Sequence, residues 1–195
     1  QISNELGTGN SSSITLDGGT IRQSTSVINP AEYLLGSEGG TFNIDDGIGL
    51  RISGILKDAV SGTPGGFTKI GSGTLNLSGA NTYGGATVVD DGTLQISNEL
   101  GTGNSSSITL DGGTIRQSAS VINPAEYLLG IKGGTFNIDD GIGLQIAGVL
   151  KDEVSGTPGG FTKIGAGTLN LSGANTNGGA TVVDNVTMQI SNELG

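Results

Sequence analysis

The sequence lacks residue types on which many common sites depend. It contains no cysteine and no histidine. The absence of cysteine excludes a disulfide framework, a thiolate metal site and a cysteine nucleophile. The absence of histidine removes the usual general base and the commonest metal ligand of proteins.

Aromatic side chains are also scarce. The 195 residues include no tryptophan, four phenylalanines and three tyrosines, whereas glycine supplies 38 residues. Large aromatic side chains normally provide much of the burial in a compact core. A chain with so few of them must build its core from many small aliphatic contacts, and repetition of a short unit is one way to do so.

Positive charge is in short supply. The chain carries 8 basic against 18 acidic residues, which gives a net charge of -10. This balance disfavours nucleic acid, whose affinity rests largely on lysine and arginine, and it disfavours anionic membranes. No apolar run is long enough to cross a bilayer. We therefore predict neither nucleic acid as a partner nor membrane insertion of this segment.

A long internal repeat dominates the sequence. The opening heptapeptide QISNELG returns at 95–101 and at 189–195. This predicts β-solenoid repeat unit 1 at 1–94, unit 2 at 95–188 and the start of a third unit at 189–195, in one continuous solenoid that is a fragment of a longer array. Units 1 and 2 align without a gap and differ at 12 positions. These positions are Thr25/Ala119, Ser37/Ile131, Glu38/Lys132, Arg51/Gln145, Ser53/Ala147, Ile55/Val149, Ala59/Glu153, Ser72/Ala166, Tyr83/Asn177, Asp91/Asn185, Gly92/Val186 and Leu94/Met188.

A shorter phrase, Gly-Thr followed by an apolar residue, recurs inside each unit. Its apolar residues are Ile21, Phe42, Leu75, Leu94, Ile115, Phe136, Leu169 and, in a degraded last copy, Met188. They are separated by steps of 21, 33, 19, 21, 21, 33 and 19 residues. These are suitable lengths for the coils of a solenoid, with an extra excursion in the 33-residue step, and they predict about four coils per 94-residue unit.

Alternation of apolar and polar residues follows each phrase, as in Leu75-Asn76-Leu77. This period of two indicates strands with one buried face. Further strand candidates are 13–16, 49–56, 67–70 and 86–89 with their counterparts in unit 2, and glycine pairs and Asp-Gly pairs between the strands predict turns. The segment 29–35 is the one candidate for a single helical turn.

Stacking of the phrases explains their spacing. Strands that lie above one another pair in parallel at about 4.8 Å per coil, so four coils predict roughly 19 Å per unit. The eight apolar residues of the phrase would then form one internal ladder. We therefore predict an all-β fold, a parallel β-solenoid. An antiparallel β-sandwich for each unit also fits regular strand spacing, but it gives no reason for one phrase to recur at coil-length steps.

Four sets of polar residues merit consideration as sites. Asp45-Asp46-Gly47 and Asp90-Asp91-Gly92 resemble calcium loops or acid–base pairs, but their composition favours exposed turns. Arg51 becomes Gln145 in unit 2, so charge varies where an active site would need one intact set. The threonines of the phrase form a regular column that could bind ice or a glycan, although β-branched residues also simply suit strands. Gly-rich Gly71–Thr74 lacks the lysine and helix of a phosphate loop.

These considerations predict no catalytic, cofactor-binding or metal-binding residues, no cofactor, and no enzyme activity. The threonine column is Thr20, Thr41, Thr74, Thr93, Thr114, Thr135, Thr168 and Thr187. Two of the differing positions, Ser37/Ile131 and Tyr83/Asn177, are predicted to lie on outward-facing turns, where they could modulate lateral contacts between rods.

The stretch 67–96, FTKIGSGTLNLSGANTYGGATVVDDGTLQI, resembles the passenger-associated repeat of bacterial autotransporters, and the resemblance returns at 161–190. The unit departs from the family pattern by one missing residue after Tyr83 and, in unit 2, by Asn177 and Asn185-Val186. The resemblance implies a right-handed parallel β-helix that is exported through the outer membrane and is extracellular or displayed at the outer-membrane surface. Such repeats usually form the shaft of the molecule.

The predicted function is therefore a structural repeat that forms a rigid extracellular shaft or filament. The alternative is an adhesin passenger that mediates cell-surface or biofilm attachment. The expected partners are further copies of the chain, joined end to end along the solenoid axis, with lateral rod contacts or host and surface glycans as further possibilities.

Overall fold

The computed structural model describes residues 11–184 and 186–191, and it shows an all-β chain. In unit 1 the strands are β1 (Ser13–Leu16), β2 (Gly19–Gln23), β3 (Val27–Asn29), β4 (Glu32–Leu35), β5 (Gly40–Ile44), β6 (Gly49–Ile52), β7 (Leu56–Asp58), β8 (Phe67–Ile70), β9 (Thr74–Leu77), β10 (Thr87–Val89) and β11 (Thr93–Ile96). They continue as β12 (Ser107–Leu110), β13 (Thr114–Gln117), β14 (Val121–Asn123), β15 (Glu126–Leu129), β16 (Gly134–Ile138), β17 (Gly143–Ile146), β18 (Leu150–Asp152), β19 (Phe161–Ile164), β20 (Thr168–Leu171), β21 (Thr181–Val183) and β22 (Met188–Ile190).

The first heptapeptide, Asn185 and most of the predicted third unit lie outside the described residues. The described residues contain no helix that could span a membrane.

Parallel pairing between successive coils organises every sheet. Ile21 of β2 lies opposite Phe42 of β5, and Leu75 of β9 lies opposite Leu94 of β11. The paired strands stack as a β-solenoid of about 8 turns. This arrangement confirms the predicted fold and excludes the antiparallel sandwich.

The solenoid has three faces. Face A contains a 3-stranded sheet, β1-β4-β7, and a 4-stranded sheet, β14-β17-β20-β22. Face B is a 7-stranded sheet, β2-β5-β8-β10-β12-β15-β18, and face C is an 8-stranded sheet, β3-β6-β9-β11-β13-β16-β19-β21.

Two irregular segments, 79–85 and 97–104, join the two sheets of face A. The Thr82 amide donates to the Leu56 carbonyl at 2.8 Å, and the Asn104 amide donates to the Tyr83 carbonyl at 2.9 Å. Above them, the Asn123 side-chain amide of β14 donates to the Thr102 hydroxyl at 3.1 Å. The stack on face A is therefore continuous even where its strands are interrupted.

The predicted single ladder of Gly-Thr phrases is wrong, because the phrases occupy all three faces. Ile21 and Phe42 lie on face B, the four phrases from Leu75 to Phe136 lie on face C, and Leu169 pairs with Met188 on face A. The 33-residue step causes the change. After β5 the chain runs through β6, β7 and β8 before the next phrase in β9, so this step crosses four faces where the others cross three.

The chain of each unit therefore crosses a face thirteen times, which makes four and a third turns. As a result, unit 2 begins one face further round the solenoid than unit 1. The strand β12 pairs with β10 on face B, whereas its counterpart β1 lies on face A. At about 4.8 Å per turn the axial length of a unit is about 21 Å, slightly more than the predicted 19 Å.

The predicted helical turn at 29–35 is a corner followed by a strand. The side-chain oxygen of Asn29 accepts a hydrogen bond from the Ala31 amide at 2.9 Å, which closes an Asx turn at the end of β3. In β4 the side chains of Tyr33 and Leu35 point inward and are fully buried. The alternation of inward and outward side chains thus makes this segment a strand, despite the Pro-Ala-Glu sequence that favours a helical turn. The strand predicted at 49–56 likewise divides into β6 and β7 at a corner.

All seven aromatic side chains lie in the core. In unit 1 they form a stack whose ring centroids are 5.5–5.6 Å apart, Tyr33–Phe42–Phe67–Tyr83. The stack in unit 2 has three rings, Tyr127–Phe136–Phe161, because asparagine occupies position 177. The prediction that Tyr83 faces outward is wrong, since its side chain is fully buried and its hydroxyl lies 2.7 Å from that of Thr87.

Candidate functional site

The first acidic phrase forms a turn tied to the neighbouring coil. Gly47 has a φ of 68°, which is typical of glycine in a tight turn. Asp45 accepts a hydrogen bond from Arg22 Nε at 3.0 Å, and in unit 2 Asp139 accepts one from Arg116 Nε at 3.0 Å. The carboxylates thus hold arginines one coil away.

The second acidic phrase lies in a more exposed place. Asp90 contacts Lys132 Nζ at 2.8 Å, and Lys132 also lies 3.4 Å from Asp111. Exposed ion pairs of this kind contribute little to stability. Within residues 11–184 and 186–191 no three potential metal ligands come together.

The predicted threonine column is divided among the faces. On face C, Thr74, Thr93, Thr114 and Thr135 stack on successive strands and are followed by Thr162. On face B, Thr20 and Thr41 are followed by Thr68, while Thr168 lies on face A and Thr187 precedes β22. Among the residues that the structure describes, the longest uninterrupted threonine row is therefore five residues, on face C.

Two buried lysines were missed by the sequence reasoning. Lys69 and its counterpart Lys163 point into the solenoid from β8 and β19 and are fully buried. Lys69 Nζ donates to the carbonyl oxygens of Ile70 at 3.0 Å, Gly71 at 2.5 Å and Asp91 at 3.3 Å. The signal was present in the alternation, because Phe67 and Lys69 share one side of the strand.

Burial shifts the titration of both lysines. It lowers the pKa of Lys69 to about 8, against the opposing effect of the negative charge of Asp91. It also lowers the pKa of Lys163. The ammonium groups cap the carbonyl oxygens of turns at a cost in desolvation.

We expect the free energy of unfolding to rise between about pH 8 and pH 10. The unfolded lysine, with its ordinary pKa of 10.5, holds its proton in this window whereas the folded one releases it, so stability increases with pH. One such lysine contributes a slope of up to about 1.4 kcal/mol per pH unit. Above pH 10 the trend should reverse, because burial raises the pKa of Tyr33, Tyr83 and Tyr127 and the unfolded chain then loses protons more readily.

Urea titrations followed by far-ultraviolet circular dichroism at each pH would measure this profile. In the matched variant, Lys69→Met together with Lys163→Met, the rise between pH 8 and pH 10 should disappear. A flat profile in the unaltered protein would show that these lysines are not desolvated in the folded state.

Two open grooves lie on the surface of the solenoid. Groove 1, on face C, has a volume of about 700 Å³, and groove 2, on face A, has about 660 Å³. Groove 1 is lined by Ser26, Val27, Ile28, Gly49, Leu50, Arg51, Thr74, Asn76 and Gln95. Groove 2 is lined by the nine counterparts of these residues and by two more, namely Ser120, Val121, Ile122, Gly143, Leu144, Gln145, Thr168, Asn170 and Gln189 with Glu99 and Leu100.

The floor of each groove is a row of side chains on four successive strands. In groove 1 the row begins with Ile28, continues through Arg51 and Asn76, and ends at Gln95. Arg51 Nε donates to the Ser78 hydroxyl at 3.0 Å, and in groove 2 its counterpart Gln145 makes the same contact with Ser172 at 3.0 Å. The structure places Arg51, a candidate for catalysis from the sequence, in this row.

Comparison with known protein families gives a match to two segments of the chain. The family model described as passenger-associated-transport-repeat matches residues 67–96 and 161–190. The matched segments contain β8–β11 of unit 1 and β19–β22 of unit 2, which confirms the predicted resemblance. Neither the curated proteins nor the solved structures gave a match to the chain.

Proposed function

We propose that the chain is part of the rigid shaft of an exported bacterial surface protein. The observation that carries the proposal is the unbroken hydrogen-bonded stack across the boundary between the units. There β12 continues β10 and β13 continues β11, so that unit 2 follows unit 1 without a linker. A solenoid in which each coil contacts only its neighbours can be lengthened by adding units.

The passenger-associated-transport repeats support an extracellular or cell-surface location. Repeats of this kind point to a passenger that is secreted or surface-exposed. A shaft needs no catalytic residues, and we propose no catalytic role for these units. The variation of charge between equivalent positions, such as Arg51 and Gln145, agrees with a role that depends on the stack rather than on one constellation of side chains.

End-to-end association with further solenoid coils is part of the proposal. At the upper edge of unit 2, Val183 and Ile190 are 40% and 57% exposed, whereas their counterparts Val89 and Ile96 are 0% and 2% exposed. In unit 1 the first turn of unit 2 covers these positions. Another coil, from the continuing chain or from a second copy, would bury the same apolar surface.

The length of the rod tests the proposal. We expect proteins with two, four and six units to give rods of constant width that lengthen by about 42 Å for each added pair of units. Small-angle X-ray scattering or cryo-electron microscopy would measure both dimensions. A maximum dimension that does not grow linearly would mean that the units fold back or articulate, and it would contradict a rigid shaft.

The alternative proposal, a directly adhesive passenger, has support in the exposed grooves. Deletion of both units from the native surface protein distinguishes the two functions. Attachment that is preserved at a shorter reach supports the shaft, whereas loss of attachment by an exported and folded deletion variant supports direct adhesion. Flow-cell attachment assays with cells matched for surface expression would provide the measurement.

A further inference from the structure

The two grooves occur at equivalent positions of units that are turned by one face relative to each other. Groove 1 opens on face C and groove 2 on face A, yet their volumes differ by little and their nine common positions match. A concavity that arose from the packing of one face would not follow the unit to another face. The groove is therefore a property of the unit.

A glycine keeps each groove open without an evident structural need. Gly49 and Gly143 begin β6 and β17 and do not have a positive φ, and a Cβ at either position would meet nothing within 4 Å. Glycine weakens a strand because it loses more entropy on folding and offers no side chain for packing. Its neighbour in the ladder of groove 1, Thr74, shows that a β-branched residue is accommodated on the same sheet.

The hydrogen-bonding groups common to both grooves are uncharged. They are the serine, threonine, asparagine and glutamine pairs Ser26/Ser120, Thr74/Thr168, Asn76/Asn170 and Gln95/Gln189. The one charged position of groove 1, Arg51, is glutamine in groove 2. Hydroxyls and amides both donate and accept hydrogen bonds, which matches a ligand rich in hydroxyl groups. Ile28 and Ile122, 60% and 67% exposed, add an aliphatic contact at one end of each row.

The pairing of the strands disfavours a peptide as the occupant. A peptide that adds to a sheet needs a free strand edge. In groove 1 it could pair only beyond the terminal strand β3, at the end of the row, because β6 and β9 in the floor are paired on both sides. The net charge of -10 disfavours nucleic acid. A saccharide needs only side-chain hydrogen bonds and an apolar patch for its C–H face, and both are present.

We propose that each groove binds a neutral glycan chain laid along the solenoid axis. The amide side chains follow one another at the strand spacing of about 4.8 Å, so that they can contact successive sugar rings. No aromatic side chain among the described residues is exposed for stacking on a sugar, so each groove binds weakly and the array gains strength from repetition. This inference goes beyond the shaft, because a shaft needs no ligand.

Side-chain amide signals in nuclear magnetic resonance spectra of the two-unit protein provide the test. The probes are cellohexaose, laminarihexaose, mannohexaose and chitohexaose, each added up to about 10 mM. At least one of them should shift the amide signals of Asn76, Gln95, Asn170 and Gln189 in a saturable manner. In the variant Gly49→Val with Gly143→Val the affinity should fall by roughly tenfold or more, about 1.4 kcal/mol.

The matched control is Ser37→Ile, which adds aliphatic bulk where unit 2 already carries exposed Ile131. It should bind like the unaltered protein. If the glycine variant does not fold, Ile28→Asp with Ile122→Asp alters exposed groove residues and should weaken binding similarly. The proposal is overturned if no neutral probe shifts these signals or if the groove variants bind normally. Binding only of tetragalacturonate to groove 1, or a change in sedimentation that shows self-association through the grooves, would also overturn it.

Discussion

Replacement of Tyr83 by asparagine, the residue found at the equivalent position 177, should lower the free energy of unfolding by about 3–5 kcal/mol. The Tyr83 ring is fully buried and its centroid lies 5.5 Å from that of Phe67, while the Tyr83 carbonyl oxygen accepts a hydrogen bond from Asn104 of the coil above at 2.9 Å. Asparagine would leave a cavity at the boundary between the units and would bury an amide in place of a ring. Urea unfolding followed by far-ultraviolet circular dichroism would measure the loss.

Two matched variants measure separately how much the hydroxyl and the position of the ring contribute to stability. Tyr83→Phe keeps the ring and removes the hydroxyl with its hydrogen bonds to Thr87 and Ser105, so we expect a loss of about 1 kcal/mol. Asn177→Tyr extends the three-ring stack of unit 2 at a partly exposed position, and it should stabilise by at most about 1.5 kcal/mol. If Tyr83→Asn and Tyr83→Phe cost the same, the aromatic stack does not hold the boundary together.

Replacement of Gly92 by valine, the residue found at position 186, should destabilise the protein by about 3 kcal/mol or more. Gly92 has a φ of 64°, a left-handed conformation that a β-branched residue adopts only with strain. Its Cβ would also lie 2.5 Å from the carbonyl oxygen of Gly73 and 2.8 Å from Lys69 Nζ. The substitution therefore strains the turn and disturbs the buried ammonium group together.

Gly49→Val is the matched control for this substitution. It adds the same side chain at a glycine that lacks a positive φ and has open space around it, so we expect a change of no more than about 0.5 kcal/mol. Thermal and urea unfolding of both variants would be compared under one set of conditions. Equal losses would show that the general cost of replacing glycine, rather than the conformation of Gly92, determines the effect.

The strands and their parallel stacking could be predicted from the sequence because alternation and glycine turns are local signals. The strand at Ser13–Leu16 and the strand at Phe67–Ile70 agree with the predicted bounds. The assignment of strands to faces could not be predicted in the same way. The phrases on the three faces have the same alternation, and a 33-residue step is compatible with one wide coil or with four faces.

The wrong prediction that Tyr83 faces outward has a related cause. The residues around it, Asn81, Thr82, Gly84 and Gly85, have the composition of a turn, and the segment is indeed irregular. In the fold its side chain points inward, where it packs on the rings from earlier coils and its hydroxyl hydrogen-bonds with Thr87. The groove could not be predicted from local sequence signals either. Its floor combines side chains from four coils, with Ile28 at one end of the row and Gln95 at the other.

The one-face offset between units bears on the straightness of a long array. The faces of a unit are not equivalent, since unit 1 has the irregular segment 79–85 on face A and unit 2 has its counterpart, 173–179, on face B. Any curvature that this difference gives to a unit would point towards one side. If each unit made a whole number of turns, these bends would add up to an arc. Because each unit is instead turned by a third of a revolution, such bends would point in three directions and cancel over every three units, so that even individually curved units would assemble into a straight rod.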